Sequence, residues 1–108
     1  MMTSREIWKN PIDIFNMSHS HIDIMVPEGS EVLHVSRQYP GEDALPHIWT
    51  IGDPTKPLEP LRVHVFGTGI PIFDGPENGR TTLKHIGTEI FHRGQLVMHF
   101  FINGAENE

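Results

Sequence analysis

At 108 residues the chain has room for one domain around a single modest core, because neither half of a divided chain would enclose enough interior to hold itself together. Eight Lys and Arg stand against fourteen Asp and Glu, a formal charge of -6 that lacks the basic footprint needed to grip polymeric DNA or RNA. The absence of cysteine removes disulfides, thiolate metal sites and cysteine nucleophiles together, and neither a secretory h-region in MMTSREIWKNP nor a run long enough to span a membrane is present.

Ten Gly and nine Pro cut the chain into short pieces, and the Gly- and Pro-free window best able to hold an ordinary helix is 12–26. That window repeats Ile-Asp-Ile, at Ile12 and at Ile22, and a period of two is a strand signal. The first strand is expected at 6–9, with Ile7 packed and Trp8 at the edge, ended by Asn10 and Pro11. A second covers 18–26, and Pro27, Glu28 and Gly29 turn it into a third at 31–38, where Leu33 and Val35 face opposite to Val32 and His34. After a loop at 39–45, a fourth strand at 46–52 puts His47, Trp49 and Ile51 on one face. The three prolines of 53–60 make a stiff connector.

From 61 to 66 the alternation is clean: Leu61, Val63 and Val65 point one way, Arg62, His64 and Phe66 the other. The strand runs into Gly67-Thr68-Gly69 and then Ile70-Pro71-Ile72, and a polar loop at 74–80 holds an Asn78-Gly79 turn signal. The last hairpin, 82–102, turns on His92-Arg93-Gly94. A bulge with Gly94 left-handed would set Phe91 opposite Gln95 and spare Arg93 a positive φ. One face would then carry Ile86, Thr88, Ile90, Leu96, Met98, Phe100 and Ile102, and the other His85, Gly87, Glu89, Phe91, Gln95, Val97, His99 and Phe101. The expectation is an all-β domain over 1–108, a single antiparallel sandwich or barrel of about seven strands with this hairpin at its centre and a frayed acidic tail at 104–108.

The segments IWKNP, VPEGSEVLHVSRQ, HIWTIGDP, RVHVFGTGIPI, HIGTEI and QLVMHFF follow one another over nearly the whole chain. Together they resemble a family of small proteins encoded by phages and prophages. That family carries Trp-His where this chain has Met98-His99, a departure that keeps the imidazole. The resemblance implies a phage protein working in the cytoplasm of an infected bacterial cell, and it transfers no catalytic residue.

Three sets of residues could carry chemistry. Gly67-Thr68-Gly69 at a strand end could turn backbone N–H groups toward a phosphate, although the Lys-Ser/Thr of a P-loop is missing; the alternative is a packing corner. Gly87-Thr88 is a second small pair, and a glycine inside a strand marks close approach from above the sheet. Histidines number eight. His19 and His21 share a strand face as a cupin's first ligand pair does, but the rest of that pattern is missing, so no metal and no cofactor are expected. Catalytic pairs are conceivable between Glu89 and His85 or His99, and between His64 and Thr68, yet no third group supports them.

Binding without turnover is therefore the expected function, with Arg62, His64, Phe66, Gly67, Thr68, Gly69, His85, Gly87, Thr88, His99, Phe101 and Trp49 around a small anionic ligand. With the phage resemblance, that ligand becomes a nucleotide or ADP-ribose-like signal of host defence, sequestered by the protein. An interaction or virion-associated module using Trp8, Phe15, Trp49, Phe91, Phe100 and Phe101 is the alternative, and a small metal-dependent enzyme a further one. Homo-oligomerisation fits the first two.

Overall fold

Seven strands account for most of the residues described by a computed structural model, which are 4–17, 20–38, 44–72 and 82–104. They are β1 (Glu6–Pro11), β2 (His21–Pro27), β3 (Glu31–Arg37), β4 (Pro46–Gly52), β5 (Leu58–Gly67), β6 (Leu83–Phe91) and β7 (Leu96–Asn103). All pairings are antiparallel, in a three-stranded sheet ordered β1-β4-β3 and a four-stranded sheet ordered β2-β5-β7-β6. The inward residues of both close on one core, Ile24, Val26, Val63, Val65, Phe91 and Phe100 from the larger sheet meeting Val35 and Ile48 from the smaller. This is the all-β sandwich that the alternation predicts.

The first Ile-Asp-Ile is not a strand. Ile12 and Ile14 are buried where the chain bends into a short 3-10 turn, Ile14–Asn16, held by Asn16 N–H donating to Asp13 O at 3.3 Å. Two isoleucines at the same spacing thus serve a corner as well as a strand. Expectations for Ser18, His19, the loop at 39–43, the Asn78-Gly79 turn and the tail from 105 lie outside the described residues.

Three facings differ from the alternation. In β1, Ile7 is 60% exposed while Trp8 is half-buried, because the register sets Trp8 opposite the buried Thr50 and turns Ile7 outward beside Ile51. In β3 the register slips between Val32 and His34, so Val32 and Val35 both face inward and the intervening Leu33 is left half exposed to solvent. β5 starts at Leu58 and runs through Pro60. It tolerates the proline because β7 pairs only from Val63 onward, so no β7 acceptor lies opposite the missing N–H.

The third difference changes the site. Phe91 stands opposite Leu96, not Gln95, and both Arg93 (φ 56°, ψ 39°) and Gly94 (φ 91°) are left-handed. The longer loop turns Phe91, 1% exposed, into the core. Burying a phenylalanine is worth about 2–3 kcal/mol, more than the roughly 1–2 kcal/mol an L-residue loses in the left-handed region, so the register with a strained Arg93 wins. Gly87 and Glu89 follow Phe91 inward, and Thr88 and Ile90 turn outward. A second slip between His85 and Gly87 keeps His85 on the outer face. The hairpin is also not central: β7 lies inside the sheet and β6 at its margin.

Where the sheets meet, β3 and β6 run side by side in the same direction. A Cβ placed on Gly87 would stand 2.9 Å from Val35 Cβ. Two residues further along each strand, Arg37 N–H donates to Glu89 Oε1 at 3.1 Å, Arg37 Nε lies 3.5 Å from Glu89 Oε2, and the guanidinium sits 5.1 Å from the centre of the Phe91 ring. The glycine of β6 is therefore a packing residue: what approaches it closely is the opposite sheet.

Candidate functional site

The outer face of the four-stranded sheet is built from every second residue of β2, β5 and β7 and from the re-registered β6. Register places His21 opposite His64, His64 opposite Phe101, Phe66 opposite His99, and Thr88 opposite His99. Opposite positions share a face, so these side chains form one band of rings and hydroxyls across four strands.

At its exposed end the band is an unbroken hydrogen-bonded row. His85 Nε2 lies 2.8 Å from Thr88 Oγ1, Thr88 Oγ1 lies 3.0 Å from His99 Nδ1, and His99 Nε2 lies 2.8 Å from Thr68 Oγ1. The row joins β6, β7 and the turn after β5. Both ring nitrogens of His99 are held, which fixes its plane against the sheet, and Thr68 is left at the solvent end.

At the other end the band is closed. His64 is 2% and Phe66 4% exposed, their rings nearly parallel at 6.4 Å, and His64 Nε2 lies 3.2 Å from Asn103 Oδ1. Phe101, half-buried, meets Phe66 and His85 edge-on at 5.9 and 5.3 Å. Arg62 is engaged with Asp23 through Nε–Oδ1 and Nη2–Oδ2 contacts of 2.9 and 3.1 Å. These bonds hold the Asp23 carboxyl below its ordinary value and raise Arg62 above its own.

The Gly67-Thr68-Gly69 segment is a tight turn. Ile70 N–H donates to Gly67 O at 3.2 Å, and Gly69 at φ 89° has the left-handed third position of a type II turn. Thr68 N–H donates to Val97 O at 3.2 Å. Of the N–H groups expected to cradle a phosphate, that of Thr68 is thus taken up by β7, while the Ile70 N–H closes the turn. What this segment offers a ligand is the Thr68 hydroxyl.

Beside the turn lies a cleft of about 560 Å³, lined by Gly67, Thr68, Ile70, the Gly94-Gln95 end of the hairpin loop and the first residues of β7, Leu96 to Met98. It lies where β5 ends opposite Met98 while β7 begins two residues earlier, so that the first residues of β7 have no strand partner on that side and meet the turn through the Thr68 N–H to Val97 O bond.

Of the twelve residues read from the sequence, Thr68, His85, Thr88 and His99 come together at hydrogen-bonding distance, with Phe101 against them and Gly67 and Gly69 shaping the turn. Arg62 is on the same face but paired, and His64 and Phe66 are buried in it. Two are elsewhere. Gly87 faces Val35 in the interior, and Trp49 lies on the outer face of the other sheet, 6.0 Å from the rings of both His34 and His47. The conceivable acid-base pairs do not form: Glu89 is inside, bonded to Arg37, and Thr68 contacts His99 and not His64. Asn103 and the cleft residues other than Gly67 and Thr68 were missed, since the pairing of β5 with β7 is what brings them to the site. Among the described residues, no three His, Asp or Glu side chains form a group that could hold a metal, and no helix is long and apolar enough to cross a membrane.

Compared with known proteins, residues 3–108 match a family described as Domain of unknown function (DUF7352). No curated protein and no solved structure matches the chain.

Proposed function

This chain belongs to the DUF7352 family, and we propose from the geometry of its outer face that it binds a small anionic ligand at the row His85–Thr88–His99–Thr68. The observation that carries the reading is the row itself: two hydroxyls and two imidazoles, from three separate segments, aligned at 2.8 to 3.0 Å on a solvent-facing surface. Hydroxyls and imidazoles can donate to an anion without bringing the fixed charge that an acidic chain of this size lacks. Arg62 and Asp23 neutralise one another nearby, so an approaching anion meets no unpaired carboxylate from that pair.

The phage-like motifs give the setting: a phage-encoded protein that sequesters a nucleotide or ADP-ribose-like defence signal in the infected cell, holding it without turnover. Phe101 is the ring best placed to meet a base, since Phe66 is buried and Trp49 lies on the other sheet. Calorimetric titration with mononucleotides, cyclic nucleotides and ADP-ribose tests this. Binding should weaken about 5- to 100-fold in Thr68→Ala and His99→Ala, the usual cost of stranding a polar partner. Titrations in which both variants matched the wild type would remove the row from the site.

A second reading rests on the opposite face. Trp49 between His34 and His47, with Ile7 60% exposed on the same side, suits contact with a protein, including another copy of the chain. Sedimentation of the wild type against Ile7→Glu tests it; identical, concentration-independent monomers would count against a homo-oligomer through this face.

A further inference from the structure

The cleft beside Thr68 is unlike the row it adjoins. Ile70, Leu96, Val97 and Met98 line it together with Gly67 and Gly94, and among the described residues Gln95 and Thr68 are its polar members. Among the described residues, no charged or aromatic one lines it. A charged group placed there would lose hydration without gaining a partner, and a nucleobase would find no ring to stack on. A flexible aliphatic chain would find branched side chains and a thioether, and the volume, about 560 Å³, falls in the range of small-ligand sites.

Thr68 belongs to both features. Its hydroxyl lies 2.8 Å from His99 Nε2, and the same residue forms part of the cleft wall. Resting on the reading of the row as an anion site, we infer that the cleft is the second half of that site and takes an alkyl or acyl limb joined directly to the anionic head. The ligand is then an amphipathic small molecule that joins an alkyl or acyl limb to the phosphate or carboxylate held by the row. A shared residue leaves no distance for a long polar linker between head and limb. Gly67 keeps the back of the cleft open: a Cβ there would already touch Ile70 Cγ1 at 3.6 Å and Met98 Sδ at 3.8 Å.

The test uses the full chain and a ladder of n-alkyl phosphates, methyl, butyl, hexyl and octyl, followed by NMR titration of backbone amides and side-chain methyls. Each methylene that enters the cleft should raise affinity about two- to fourfold, the upper figure corresponding to full burial at about 0.8 kcal/mol. The methyls of Ile70, Leu96, Val97 and Met98 should shift only with the longer chains, while Thr68 and His99 shift with all of them. Ile70 is 59% exposed, so Ile70→Ser should fold normally and lose part of the gain in affinity per methylene that the wild type shows. A flat ladder with Thr68 and His99 still responding would overturn the cleft assignment and leave the anion site standing. No response at Thr68 or His99 to any member would overturn both. Methyl shifts that appear on concentrating the protein alone would assign the cleft to a second copy of the chain and likewise overturn the proposal.

Discussion

Replacing Gly87 with alanine tests the seam between the sheets. The new Cβ would stand 2.9 Å from Val35 Cβ and 3.4 Å from Val35 O, whereas carbon atoms in contact prefer roughly 3.5–4.0 Å. Neither partner is the far end of a flexible chain, so β3 and β6 must separate by roughly 0.6 Å or more to reach that spacing. The Arg37 N–H to Glu89 bond is already 3.1 Å long, two residues away, and such a displacement carries it to the limit of a hydrogen bond. Overpacking at about 1–3 kcal/mol and a lost hydrogen bond at about 1 kcal/mol predict a cost of about 2–4 kcal/mol. Urea denaturation would read this as a lower midpoint with an unchanged slope. Gly69→Ala is the control: its Cβ meets nothing within 4 Å, so only the left-handed φ of 89° opposes it, at about 1 kcal/mol. Equal costs for the two alanines, or a Gly87→Ala change below about 0.5 kcal/mol, would show that the sheets do not press together at this point. Combining Gly87→Ala with Glu89→Gln should give less than the sum of the two, since both act through one seam.

Glu89→Ala alone removes the carboxylate that accepts from the Arg37 N–H and faces its guanidinium and should cost about 1–3 kcal/mol in the same denaturation assay. Arg93→Gly relieves a left-handed side chain and should raise stability by about 1 kcal/mol, while Gly94→Val should lower it by about 1–3 kcal/mol; thermal melts of the two should move in opposite directions. Asp23 has its folded carboxyl lowered by Arg62, so its contribution is present above the unfolded value near pH 4 and is lost as pH falls through the lower folded value. Wild type should therefore exceed Asp23→Asn in stability at pH 6, by no more than about 0.2–1 kcal/mol for so exposed a pair, and the two should converge in acid.

Much of the fold was legible because alternation persists over enough residues to be unambiguous. In β5 and β7 the inward set Leu61, Val63, Val65, Leu96, Met98, Phe100 and Ile102 follows directly from a period of two. Leu33 and Ile7 were misplaced because apolar residues on both faces make alternation silent about which face is the core. The facing of β6 turned on a single loop residue: local chemistry spoke against a left-handed Arg93, and the burial of Phe91, a tertiary gain, overrode it. His85 and His99 could be paired from the hairpin alone, but the contact of His99 with Thr68 depends on β5 lying beside β7, thirty-one residues apart, which no local signal reports. Trp49 was grouped with the site on chemistry, and sheet membership separated it.

The seam has a bearing on how the molecule behaves in company. Two open sheets have four outermost strands, here β1, β3, β2 and β6, and each could offer its row of backbone groups to a neighbouring molecule. Setting β3 against β6 makes each strand the other's cover, and the Glu89 carboxylate occupies the Arg37 N–H that β3 would otherwise present. The remaining two, β1 and β2, both end in a proline, Pro11 and Pro27, which has no N–H to donate. A chain with so much strand and so little helix is in this way discouraged from polymerising, and a variant that opened the seam would be at risk of joining its neighbours strand to strand before it lost its own fold.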